Sequence, residues 1–151
     1  MSSRLASVLA ACVVAAPLAL WSTPASAAVP TCFGQPATII GTAGADNLSS
    51  SAYVADVIWA GGGDDYVSGN PTGEDDFFAE YPADLLCSGP GNDRVRGGPG
   101  DDRISGGDGD DELHGGHGSD VVQGNRGNDR IEDESYHDAD SGNDVMRGGG
   151  G

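Results

Sequence analysis

The sequence of 151 residues contains no lysine, and its seven arginines face 24 acidic residues, for a formal charge of −17. A chain so poor in cations repels polyanions and lacks the basic stripe that phosphate recognition needs, which argues against nucleic acid as a partner. Aromatic residues are scarce as well, nine in all, and beyond residue 27 no apolar run is long enough to cross a bilayer. In their place stand 26 glycines and 19 aspartates. Low hydrophobicity with this much net charge leaves a chain disordered unless something neutralises the carboxylates.

The first 27 residues read as a separate object. Arg4 makes a short basic start, Leu5 to Leu20 is almost wholly apolar, and Ala25-Ser26-Ala27 supplies small residues for cleavage near Ala27 or Ala28. This is the pattern of a secretory signal peptide, since the run is short for a membrane span and Pro17 and Pro24 break it. Cleavage removes Arg4, leaving 6 Arg against 24 acids, or −18, and no transmembrane segment. It also removes Cys12, leaving Cys32 and Cys87 in an oxidising compartment, where one disulfide is the leading reading. The three histidines (His114, His117, His137) do not cluster with these cysteines, which argues against zinc.

The organisation lies in a period of nine. From Ser88 to Glu132 the chain divides without a gap into SGPGNDRVR, GGPGDDRIS, GGDGDDELH, GGHGSDVVQ and GNRGNDRIE, with Gly at position 4, Asp at 6 and an aliphatic residue at 8. The frame extends upstream, and the aspartates from Asp46 to Asp138 are spaced 10, 9, 10, 9, 9, 9, 9, 9, 9 and 9 apart. The two spacings of ten mark loosened turns, Pro82 replaces an expected Gly, and DESYHD (133–138) reads as a loop insertion after which Gly142, Asp144 and Met146 resume six residues out of phase. The expected organisation is a signal at 1–27, an N-terminal arm at 28–40, repeats over 41–132, the insertion at 133–138 and a degenerate or truncated repeat at 139–151. The closing glycines 148–151 open another block without a cap, so the stack is expected to be able to associate end to end.

These blocks resemble GGxGxDxUx, the nonapeptide of the RTX or hemolysin-type calcium-binding repeat. The resemblance covers roughly 41–147, and Cys32-x-Gly34 with the run Ala37 to Thr42 is similar to small exported bacterial members. It implies an all-β fold, the parallel β-roll, a calcium-bound β-solenoid with two nonapeptides per coil. Physically, x-U-x makes a short strand with its centre pointing inward, and GGxGxD makes a turn. The expected inward column is Leu48, Ile58, Val67, Phe77, Leu86, Val95, Ile104, Leu113, Val122 and Ile131.

Coils of 18 residues place Asp93 over Asp111 over Asp129 on one edge and Asp102 over Asp120 on the other. Carboxylates about 4.8 Å apart repel without a cation. Calcium takes six to eight oxygens from carboxylates and carbonyls in flexible geometry, whereas magnesium demands a stricter octahedron. The pairs Asp93/Asp111, Asp102/Asp120 and Asp111/Asp129 therefore predict at least about three ions. The candidate ligands are these five acids with the turn residues Gly91, Gly98, Gly100, Gly107, Gly109, Gly116, Gly118 and Gly127, and with Asp65 and Asp84 above them. Asp64, Asp101 and Asp110, at position 5, are expected to face solvent. One aliphatic side chain per nine residues, about 1.5–3 kcal/mol when buried, is small against the cost of ordering nine residues, so calcium must share in the folding energy.

Outward residues are expected to stack as Asp76, Arg94, Glu112, Arg130 at position 7 and as Trp59, Phe78, Arg96, His114, Glu132 at position 9. Cys87 is expected two coils below Ser49, so that Cys32 reaches it only if the arm runs down the outside over Ser49 and Ser68. His117-Gly118-Ser119-Asp120 holds the residue types of a triad but in sequence on one turn, and triads are recognised by spatial role. With no domain outside the array, the reading is a secreted, non-enzymatic calcium-binding protein; a cell-envelope or glycan partner is the alternative.

Overall fold

A repeat with one aliphatic residue in nine, between residues that tolerate solvent, supplies one narrow strand per side of a coil. The computed structural model describes residues 28–69, 81–132 and 142–150. After a short antiparallel hairpin, β1 (Thr31–Cys32) and β2 (Gln35–Pro36), the chain forms β3 (Ile39–Ile40), β4 (Asn47–Ser49), β5 (Val57–Trp59) and β6 (Tyr66–Ser68). There follow β7 (Leu85–Pro90), β8 (Arg94–Pro99), β9 (Arg103–Asp108), β10 (Glu112–His117), β11 (Val121–Arg126), β12 (Arg130–Glu132) and β13 (Val145–Arg147). Successive strands alternate between two parallel sheets, β4-β6-β8-β10-β12 and β3-β5-β7-β9-β11-β13. This is an all-β parallel solenoid of about five turns, as the repeat implies.

The core is the seam between the sheets. Ile58, Val67, Leu86, Val95, Ile104, Leu113 and Val122 are fully buried, and Ile39, Leu48 and Ile131 pack against them partly buried. Phe77, the remaining member of the expected column, lies outside the described residues. Strands β7 to β11 are six residues long rather than the three expected, because the ladder continues through the first glycines of the next turn: Gly98 pairs with Gly116 and Pro99 with His117. Gly98 (φ 98°) and Gly100 (φ 129°) hold conformations that L side chains rarely adopt, which lets the backbone turn while neighbouring rungs stay paired.

The register corrects the upstream stacking. From β8 onward rungs are 18 residues apart, Arg94 to Glu112 to Arg130. Above that, Tyr66 pairs with Arg94 and Val57 with Leu85, both 28 apart. These strands pair directly, with no rung between them, so the upstream frame is displaced by one block. Tyr66 stands beside Arg94 where Asp76 was expected, and Trp59 stands beside Cys87 and not in the Arg96 column; Asp76 and Phe78 lie outside the described residues. At the lower end Val121 pairs with Val145, 24 apart and six more than a coil. Among the described residues no helix is long and apolar enough to cross a membrane, and the expected signal at 1–27 lies outside them.

Cys32 and Cys87 form a disulfide with Cα atoms 5.7 Å apart. The hairpin does run down the outside of the stack, but along the column Ile40, Trp59, Cys87 and not over Ser49 and Ser68. Because β5 pairs directly with β7, Cys87 is the direct neighbour of Trp59. One rung further down, the Arg103 guanidinium lies 4.5 Å from the centre of the Phe33 ring, a cation–π contact that extends the hairpin's grip to β9.

Candidate metal centre

Each turn ends in an aspartate whose two carboxylate oxygens have different surroundings. Oδ1 accepts the backbone N–H of the aspartate one rung earlier: Asp93 donates to Asp111 at 2.9 Å, Asp102 to Asp120 at 2.9 Å and Asp111 to Asp129 at 3.2 Å. The same bond, 2.8 Å long, joins Asp46 to Asp65, Asp65 to Asp93, Asp56 to Asp84 and Asp84 to Asp102, and a last one of 2.9 Å joins Asp120 to Asp144. Two continuous columns result, Asp46-Asp65-Asp93-Asp111-Asp129 and Asp56-Asp84-Asp102-Asp120-Asp144. The candidate acids are thus brought together in the two edges, with Asp65 above Asp93 and Asp84 above Asp102.

The second oxygen is another matter. Oδ2 of Asp65, Asp93, Asp102, Asp111 and Asp129 is buried without a hydrogen-bond partner. A buried ionised oxygen left so is costly, and the acids respond by holding their protons. Burial pushes Asp102 up to about 8 against the opposing pull of the Asp84 N–H, with the Asp120, Asp84 and Asp101 carboxylates adding to the rise. Burial likewise pushes Asp111 up to about 7, opposed by the Asp93 N–H and reinforced by Asp93, Asp129 and Asp110. Asp65, Asp84 and Asp93 are raised too, in each case chiefly by burial.

Beside Oδ2 of Asp102, Asp111, Asp120 and Asp129 stands the glycine that opens the same block. A Cβ on Gly97 would lie 2.6 Å from Asp102 Oδ2 and 2.2 Å from the carbonyl oxygen of Gly115 on the next rung. On Gly106 it would lie 2.2 Å from Asp111 Oδ2 and 2.9 Å from the Gly124 oxygen; Gly115 and Gly124 stand in the same way to Asp120 and Asp129, at 2.5 and 2.0 Å. At Gly97 and Gly106, carboxylate and carbonyl oxygens converge on a place where an added Cβ would clash. Among the described residues no three His, Cys, Asp or Glu side chains gather at one point. A cation here would draw one or two carboxylates and otherwise backbone carbonyls, an all-oxygen, irregular set that fits calcium and not zinc.

The glycines expected as ligands, Gly91, Gly98, Gly100, Gly107, Gly109, Gly116, Gly118 and Gly127, all have positive φ. Their carbonyls run along the turn edges toward the next rung: a Cβ on Gly116 would meet the Gly98 oxygen at 2.1 Å and one on Gly118 the Gly100 oxygen at 2.1 Å. The block-opening glycines 97, 106, 115 and 124 were not among the expected ligands. Their signal was visible as Gly at position 1 of four consecutive blocks, where the need is for space and not for a left-handed backbone.

At position 5, Asp64, Asp101 and Asp110 are exposed, as expected, and they also take part in hydrogen bonds between rungs. Asn92 N–H donates to Asp64 Oδ1, Asp110 N–H to the Asn92 side-chain oxygen and Asn128 N–H to Asp110 Oδ1, at 2.9, 2.9 and 2.8 Å. On the other edge Ser119 N–H donates to Asp101 Oδ1 at 2.8 Å. These exposed residues form a second ladder, running opposite to the first. Asp46 and Asp56, in the top rung, differ from all lower acids: Asp46 Oδ2 accepts from the Thr42 N–H and hydroxyl at 2.6 and 2.9 Å, and Asp56 Oδ2 from the Ser51 N–H at 2.8 Å.

Stacked parallel rungs, glycine turns and two buried carboxylate columns define a β-roll of the calcium-binding kind. The model of the RTX calcium-binding nonapeptide repeat matches this sequence in 4 copies, over residues 55–71, 88–122, 114–134 and 138–151, together more than half of its length. The chain belongs to that family. No curated protein matches it. Among solved structures it is similar to the solution structure of the AlgE6R3 subunit from the Azotobacter vinelandii mannuronan C5-epimerase, at 25% identity and a TM-score of 0.27, over 68% of this chain and 51% of that one. It therefore spans about half the length of that subunit.

Proposed function

We propose that this protein is a secreted, non-enzymatic calcium-binding β-roll whose folding is coupled to extracellular calcium. The observation that carries the reading is the row of buried, unsatisfied Oδ2 atoms, those of Asp102 and Asp111 each facing a glycine and a carbonyl of the next rung. Bound calcium would supply the positive charge this row lacks. The chain's own residues do the rest: Oδ1 fixes the register through the amide ladder, Oδ2 and the block-opening carbonyls present oxygens, and the aliphatic seam closes the coil. About three ions or more would bind along this row, at the oxygens of Asp102, Asp111 and Asp129 among others. Extracellular calcium modules work at about 10⁻⁴–10⁻³ M, so such a chain stays open at cytosolic calcium and orders after export.

Far-UV circular dichroism of the purified protein during a calcium titration tests this. Strand signal is expected to rise to saturation by about millimolar calcium, with little response to magnesium at the same concentration. A spectrum indifferent to calcium rejects the proposal.

A further inference from the structure

The block-opening position is not glycine in every turn. It is Ser50 in the turn of Asp56, Ala60 in that of Asp65 and Ser88 in that of Asp93, and all three side chains are buried. Ser88 stands where Gly97, Gly106, Gly115 and Gly124 stand in the following turns, and at those glycines an added Cβ would fall on the Asp Oδ2, and at Gly97 and Gly106 on the next-rung carbonyl as well. The Ser88 hydroxyl occupies that place. It donates to the Gly106 carbonyl at 2.7 Å. Ser50 repeats the arrangement at the end of β4 on the other sheet, with its hydroxyl donating to the Gly69 carbonyl. Ala60, fully buried, opens the turn of Asp65 at the same position.

We infer that Ser88 is a plug. It closes the Asp93 turn to calcium, as Ala60 closes the Asp65 turn, and confines those ions to turns opened by glycine, Asp102 and Asp111 among them. A hydroxyl that donates to the Gly106 carbonyl ties up an oxygen a cation would use, and it puts its own carbon and oxygen into the space. Of the upper acids, two are served by the protein itself. Asp46 has Thr42, Asp56 has Ser51, and the sequence ladder overstates the number of ion sites at its N-terminal end. This inference rests on the calcium reading above and decides which turns that reading applies to.

The test counts calcium per chain by equilibrium dialysis and atomic emission at about millimolar free calcium, for wild type, Ser88→Gly, Ser88→Ala and Ala60→Gly. Glycine already occupies this position in four neighbouring turns, so the Gly variants recreate a turn the fold accepts. The expected result is one additional ion in Ser88→Gly, one additional ion in Ala60→Gly, and an unchanged count in Ser88→Ala, whose methyl still fills the space. An unchanged count in both Gly variants overturns the inference while leaving calcium binding intact. So does loss of an ion in Ser88→Ala, which would make the hydroxyl a ligand. A wild type that binds no calcium overturns the proposed function and this inference with it.

Discussion

At the scale of the residue, the aspartate at position 6 serves two ends with one carboxylate, and the two can be separated. Asp111→Asn keeps an oxygen for the Asp93 N–H but removes the charge. It is expected to weaken calcium binding by about tenfold or more and to stabilise the calcium-free stack, because a buried ionised oxygen is removed without loss of the amide bond. Asp111→Ala loses both, and should cost about 1–3 kcal/mol in the calcium-free protein through the orphaned Asp93 N–H. Paired denaturant titrations with and without chelator measure the difference. The raised acids also set a pH dependence. An acid whose folded value lies above its ordinary 3.8 binds more protons folded than unfolded, so its stabilising effect is complete below about 4 and is lost as pH rises through the folded value, about 7 for Asp111 and about 8 for Asp102. The calcium-free stack should therefore melt at a lower temperature at pH 8 than at pH 5. Calcium affinity should rise over the same interval, because the ion displaces those protons; a calcium-free melting temperature that rises with pH would contradict this.

At the scale of the element, the hairpin β1–β2 is a strap across the second sheet, fixed by Cys32–Cys87 and by Phe33 under Arg103. The cysteines are 55 residues apart, and closing a loop of that length constrains the unfolded chain by about 4 kcal/mol. Cys87→Ser is expected to lower the unfolding free energy of the calcium-loaded protein by an amount up to that figure, read from chemical denaturation; no change would show that the strap adds nothing to stability. On the first sheet Arg94, Glu112 and Arg130 stand in register, and the Arg94 guanidinium holds the Glu112 carboxyl below its usual range. Such exposed pairs contribute little, and their value is in keeping strand order. How far these elements could be read from sequence depended on continuity. From Ser88 to Glu132 the nine-residue period has no interruption, and strand, inward residue and 18-residue rung all follow from it. Above Ser88 the same arithmetic misplaced Trp59 and the path of the arm. An Asp-spacing ladder cannot distinguish a block that adds a rung from one that does not, because both keep the count. The glycines at 97, 106, 115 and 124 were visible, but glycine in a turn suggests backbone conformation first, and only packing against the next rung shows that these four are required for room.

At the scale of the whole molecule, folding sets a single seam of buried aliphatic residues, with one side chain from each strand, against two columns of buried carboxylates. The columns oppose closure until their charge is neutralised, whereas the upper acids Asp46 and Asp56 are satisfied by Thr42 and Ser51 and do not. The lower coils should accordingly depend on calcium more than the strapped upper ones. Hydrogen exchange followed segment by segment, in calcium and after exhaustive chelation at neutral pH, tests this most directly. The account predicts that the strand amides of β9, β10 and β11 are protected in calcium and exchange rapidly once it is removed; equal protection of those strands in both conditions would contradict it.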